Sequence, residues 1–151
     1  MWIDESMEFA DATSVGAPNN TTVNVGDVMD TGAVARDLGN GEPFYLVIQV
    51  VSAITSGGSA TVRFKLATDA ASTLEVDGTQ TEHITSDSIP VASLVAGYLF
   101  SIPLPQGSQA YERYMGVQVQ EAAGQALTGG TINAFLTQHP ANWVSHADNA
   151  K

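Results

Sequence analysis

The stretch that decides the fold runs from residue 36 to residue 66: RDLGNGEP (36–43), FYLVIQVV (44–51) and, after Gly57 and Gly58, ATVRFKL (60–66). Residues 44–51 are rich in β-branched and aromatic side chains, and the run is too short and too continuous for an amphipathic helix. It predicts a strand covered on both faces. Pro43 can open such a strand but cannot sit in its middle, while Gly39, Asn40 and Gly41 supply the positive-φ conformations of a tight loop. Downstream, Val62, Phe64 and Leu66 alternate with Thr61, Arg63 and Lys65, the period of a strand with one face in a core and one in water. Arg63 and Lys65 are accordingly expected on the wet face.

Working outward, TVNVGDVMD (22–30) reads as a strand bent or bulged at Gly26. TLEV (73–76) reads as a short strand closed by Asp77-Gly78, a strong turn pair, with TEHIT (81–85) resuming the pairing. Residues 89–95 and 98–104 are further apolar runs, and Pro103 and Pro105 place the second at a sheet edge. YERYMGVQVQ (111–120) alternates Met115, Val117 and Val119 against polar positions, predicting one buried face, and TINAFLTQ (131–138) puts Ile132, Ala134 and Leu136 on one side.

The pattern is all-β: a single-domain jelly-roll or β-sandwich of about eight antiparallel strands with short terminal arms, because many short strands must stack or close to manage their edges. An immunoglobulin-like sandwich is the alternative. The expected boundaries are an N-terminal arm at 1–22, forming a short helix or carrying one strand, the sandwich at 22–138 and a C-terminal tail at 139–151. A chain of 151 residues is long enough for one real core without metal or disulfides.

Five bases against 16 acids give a formal charge of −11, which argues against a nucleic-acid partner, since phosphate binding relies on Lys and Arg. Only 14% of residues are charged, well below the roughly 25% of an ordinary domain, so much of the surface must be small and weakly polar. Such a surface costs little to desolvate and suits a protein that works against other protein. There is no cysteine, hence no disulfide framework or thiolate site. No apolar run approaches a membrane span, and the acidic MWIDESMEF is unlike a signal peptide, so the chain is expected to be soluble and unprocessed, with no membrane partner.

No catalytic or metal constellation stands out, and the chain is expected to be a binder, not an enzyme, with no cofactor. His139 and His146 lie seven apart and would need a third ligand such as Asp148 or His83. Asp69, Glu75 and Asp77 bracket a loop without the alternating acids of a calcium site. Glu5 and Glu8 could do acid/base work only if burial raised one of them. Trp2 and Trp143 lie in terminal segments too short to build cores, and either fold back on the sandwich or pack on a neighbouring subunit.

The chain resembles the jelly-roll capsid cement, or decoration, proteins of short-tailed tailed phages, as in a Bordetella podophage. The likeness rests on EFADATSV (8–15), ARDLGNGEPFYLVIQV (35–50) and SGGSATVRFKLATD (56–69), followed by the later strands in the same order. It implies a homo-oligomer, a dimer or trimer, on the exterior of an icosahedral head, made in the bacterial host cytoplasm and bridging major capsid protein subunits. The contact residues it suggests are Trp2, Phe9, Arg36, Asp37, Asn40, Glu42 and Trp143, with Arg36 also able to pair with Asp37 or Glu42. The rival reading is a carbohydrate-binding or receptor-binding module, which would need an exposed aromatic platform from Tyr98, Tyr111 and Tyr114.

Overall fold

The computed structural model describes residues 5–32, 38, 41–106 and 109–140. A single 3-10 turn, Glu5–Met7, leads into β1 (Glu8–Ser14), β2 (Thr22–Asp30), β3 (Tyr45–Ser56), β4 (Thr61–Asp69), β5 (Thr81–Thr85) and the two-residue β6 (Ile89–Pro90). After a second 3-10 turn, Val91–Ser93, come β7 (Leu99–Pro103), β8 (Tyr114–Glu121) and β9 (Leu127–Thr137).

These strands form two antiparallel sheets, one ordered β1-β9-β3-β7 and the other β2-β8-β4-β5 with β6 added on β4. The order has a simple origin. The chain doubles back as one long ribbon in which β1 pairs β9, β2 pairs β8, β3 pairs β7 and β4 pairs β5. The ribbon then rolls up, so that β9 also pairs β3 and β8 also pairs β4. This winding is a jelly roll, and it decides against the immunoglobulin-like alternative.

Between the sheets lies a core led by Phe9, Leu46, Ile48, Val50, Val62, Phe64, Leu66, Met115, Val117, Val119, Ile132 and Leu136, all buried. Burial of each large aliphatic contributes about 1.5–3 kcal/mol. The run 44–51 behaves as its composition predicts: residues 46 to 50 are buried on both faces, Val47 lying opposite Phe135 on the side of β3 away from the core. Gly26 takes φ +75° at a shift in the β2–β8 register, and a Cβ there would meet Phe9 O at 1.8 Å. The predicted bulge is thus also the point where β1 and β2 backbones approach too closely for any side chain.

Four expectations change. The one strand allowed to the N-terminal arm is β1, residues 8–14, but it is a paired member of the first sheet, so the sandwich begins at 8 and not at 22. TLEV (73–76) is not a strand. It lies in the β4–β5 connection, which is held by side chains instead of a ladder: Asn24 Nδ2 donates to Leu74 O at 2.6 Å and Gln118 Nε2 to Glu75 O at 2.8 Å. Leu74 is 2% exposed and seats over Gly116. Beneath this connection β8 is buried on both faces, Gln118 included, where the alternation predicted one. Lys65 is also buried rather than wet, and pairs with Glu82 Oε1 at 2.6 Å, while Arg63 is exposed as expected.

The rolled ribbon gives the molecule two unlike ends. At one lie Glu8 and Thr137, the outer ends of β1 and β9, with the connections β2–β3, β4–β5 and β7–β8. At the other lie residues 15–21, 57–60, 86–98 and 122–126, which join β1 to β2, β3 to β4, β5 through β6 to β7, and β8 to β9.

Candidate functional site

Of the contact residues suggested by the sequence, Glu42 is exposed beside Gly41, whose φ of +103° is the conformation expected of that loop. Leu38 packs against the core from the same loop. Trp2, Arg36, Asp37, Asn40 and Trp143 lie outside the described residues, as do His146 and Asp148. Phe9 must be withdrawn as a surface contact: it is 1% exposed and belongs to the core between the sheets, because its side chain points inward from β1.

The three tyrosines do not make one platform. Tyr98 precedes β7 at the end formed by 86–98, whereas Tyr111 and Tyr114 lie at the opposite end, before and at the start of β8. Tyr111 is 5% exposed, donates its hydroxyl to Pro105 O at 2.6 Å and stacks on His83 with ring centroids 4.1 Å apart. Burial pushes its phenol up to about 12. Tyr114 lies under Arg113, whose guanidinium carbon is 4.9 Å from the ring centre.

His83 shares a 2.7 Å hydrogen bond between its Nε2 and Thr68 Oγ1, and Thr68 in turn reaches Glu112. Burial lowers the imidazole's affinity for a proton, partly offset by the Glu112 charge. Two acids here are spent on turns: Asp69 accepts from the N–H groups of Ala71 and Glu75, and Asp77 from the N–H and the hydroxyl of Thr79. Among the described residues no group of three His, Asp or Glu is placed to hold a metal ion.

The end formed by residues 15–21, 57–60, 86–98 and 122–126 has a different chemistry. Residues 13–22, 52–61, 86–98 and 122–131 meet there and contain a single charged side chain, Asp87. All five bases and 15 of the 16 acids lie elsewhere in the chain. The surface is made largely of hydroxyls, methyls, amides and bare backbone; its charged groups are Asp87 and the guanidinium of Arg63, whose Nε donates to Ser88 Oγ at 2.8 Å. Ser52 and Thr131 pair their hydroxyls at 2.8 Å across β3 and β9, and Thr55 and Thr128 do so at 3.0 Å. Beside them Thr55, Ser56, Ser59, Thr61, Pro90 and Ala92 line an open groove of about 580 Å³. Val95, 54% exposed, lies in the same set of connections.

One buried carboxylate knits this end together. Glu121, at the end of β8, is 0% exposed and accepts hydrogen bonds from the N–H groups of Asn20 (2.8 Å), Ala123 (2.7 Å) and Gly124 (2.9 Å). Burial would raise its proton affinity, but these donors together with the Gln125 N–H outweigh it and hold the carboxyl below the usual range. Asn20 adopts φ +53° to aim its N–H inward. The connections 15–21 and 122–126 are therefore set in place in advance. Glu121 carries no pattern that singles it out in the sequence; only the meeting of two distant loops explains it.

Comparison with curated proteins finds no match. The Bbp16 family model matches residues 9–136, from the second residue of β1 to the last but one of β9. With its jelly roll covered from first strand to last, the chain belongs to the Bbp16 family of phage proteins.

Proposed function

We propose that this phage protein is a capsid cement protein: it binds the outside of an icosahedral head, contacts the major capsid protein and reinforces the joints between its subunits. It acts by binding, without turnover, and self-associates on the shell. The observation that carries the reading is the family match running through a jelly roll with one extended face poor in charge and rich in small side chains. Depletion of charge is the compositional mark of a protein interface. A rigid sandwich repeated over many equivalent positions lets modest individual contacts add through avidity.

The test is made on heads. The protein is expected to sediment with intact heads, and heads stripped of it to swell, leak or burst more easily, with readdition restoring resistance. Stripped heads that are equally robust and do not rebind the protein would sink the reading.

A further inference from the structure

We infer that the charge-poor end formed by residues 15–21, 57–60, 86–98 and 122–126, and not the opposite end, is the face that docks on the capsid shell; this rests on the cement reading above. Three observations converge. The first is charge: on a chain of formal charge −11, residues 13–22, 52–61, 86–98 and 122–131 hold one charged side chain, Asp87, between them, Arg63 reaches in from β4 to donate to Ser88 Oγ, and the jelly-roll winding gathers these four separate segments at one end. An interface buries its polar groups at a cost, and ions cost most, so this is the end that can be covered with least penalty.

The second is extent. A standard interface uses roughly 20–30 residues a side. The four segments present at least that many exposed or half-exposed residues, including the groove at Ser59 and Ala92 and the exposed Val95. The third is preorganisation. Glu121 fixes two of the connections from beneath, and Gly58 approaches Gln125 so closely that a Cβ would stand 2.8 Å from its Oε1, tying a third connection to them. Loops already ordered lose little further entropy on docking.

The occupant is the outer surface of the shell protein. With this end down, all the exposed acids but Asp87 stand away from the shell, where salt screens the repulsion between neighbouring copies.

Two pairs of charge insertions at exposed positions test this on heads that lack the protein. Ser59→Glu with Ala92→Glu places acids in the groove; Ser72→Glu with Ala110→Glu places them at the other end. The first pair is expected to weaken head binding roughly tenfold or more, by burying unpaired charge. The second pair is expected to bind as the parent does. Both should keep the parent's thermal midpoint, and hydroxyl-radical footprinting of the parent on heads, which needs no variant, should show protection in 56–60 and 88–96. Equal binding by both pairs, protection only at the opposite end, or groove variants that lose self-association while staying on heads would each overturn the assignment. A parent protein that does not bind heads at all would instead overturn the cement reading.

Discussion

Leu74 lies over Gly116 with no room for a side chain between them: a Cβ on the glycine would stand 2.8 Å from Leu74 Cδ2. The obstructing atom is the tip of a flexible side chain, so Gly116→Ala is expected to cost under about 1 kcal/mol as Leu74 swings aside. Leu74→Ala should cost about 2 kcal/mol or more, since it empties the contact that holds the β4–β5 connection down. Gly26→Ala should be worse than either, because its Cβ would meet backbone at 1.8 Å from a positive φ. Urea unfolding of the three variants gives the ranking, and Gly26→Ala matching Gly116→Ala would refute the geometry.

Glu121 should be a main source of acid sensitivity. Its folded carboxyl titrates below the usual glutamate range, so the stabilisation is full above that range and is lost as pH falls through the folded value. Glu121→Gln keeps the shape but replaces one acceptor oxygen with a donor facing N–H groups, and is expected to cost about 1.5–3 kcal/mol at neutral pH. Unfolding free energies measured from pH 7 down to pH 3 should fall less steeply for the variant than for the parent. Parallel curves would remove Glu121 from this role.

His83 has the opposite chemistry and the same direction. Burial disfavours its charged form, so the fold holds the neutral imidazole better than the unfolded chain does. Stability from this group is present above the ordinary histidine range and declines as pH falls through the lowered folded value. Thermal midpoints of the parent should therefore drop between pH 7.5 and pH 5 by more than those of His83→Gln, in which the other two histidines remain.

Arg113 grips Asp30 with two bonds of 2.8 Å, through Nε and Nη2, at the open end of β2. This hydrogen bonding, joined by the Gly32 N–H, holds the Asp30 carboxyl down to about 2. Because the pair is exposed, Arg113→Ala should move the Asp30 titration back toward the normal aspartate range while leaving the unfolding midpoint almost unchanged. Carboxyl NMR titration reads the first effect and denaturation the second.

Much of the sandwich was legible because β2, β3, β4, β8 and β9 carry their burial in their own sequence, as alternation or as a continuous apolar run. What failed was whatever depended on a distant segment. TLEV has the alternation of a strand, yet its carbonyls are taken by the side-chain amides of Asn24 and Gln118. Lys65 read as solvated because nothing local announces that Glu82 will neutralise it. Phe9 read as an arm residue because β1 finds its partner only at β9. The charge-poor end was visible as a shortage of charge in the composition, but not as a place, because four segments must be wound together before it exists.

The same winding sets an order of assembly. Along the ribbon the paired residues grow steadily more distant in the chain, from Thr68 with Thr81 at its closed tip to Glu8 with Phe135 at its open end. Closing each outer pair before the inner ones exist would confine a longer loop, so the ribbon should zip from β4–β5 outward, on the slow scale of about milliseconds to seconds common to sandwiches. Pulse-labelled hydrogen exchange should find β4 and β5 protected first, then β3 and β7, and β1 last. The reverse journey begins where zipping finishes: a protease that catches this protein opening should find its first cut next to β1.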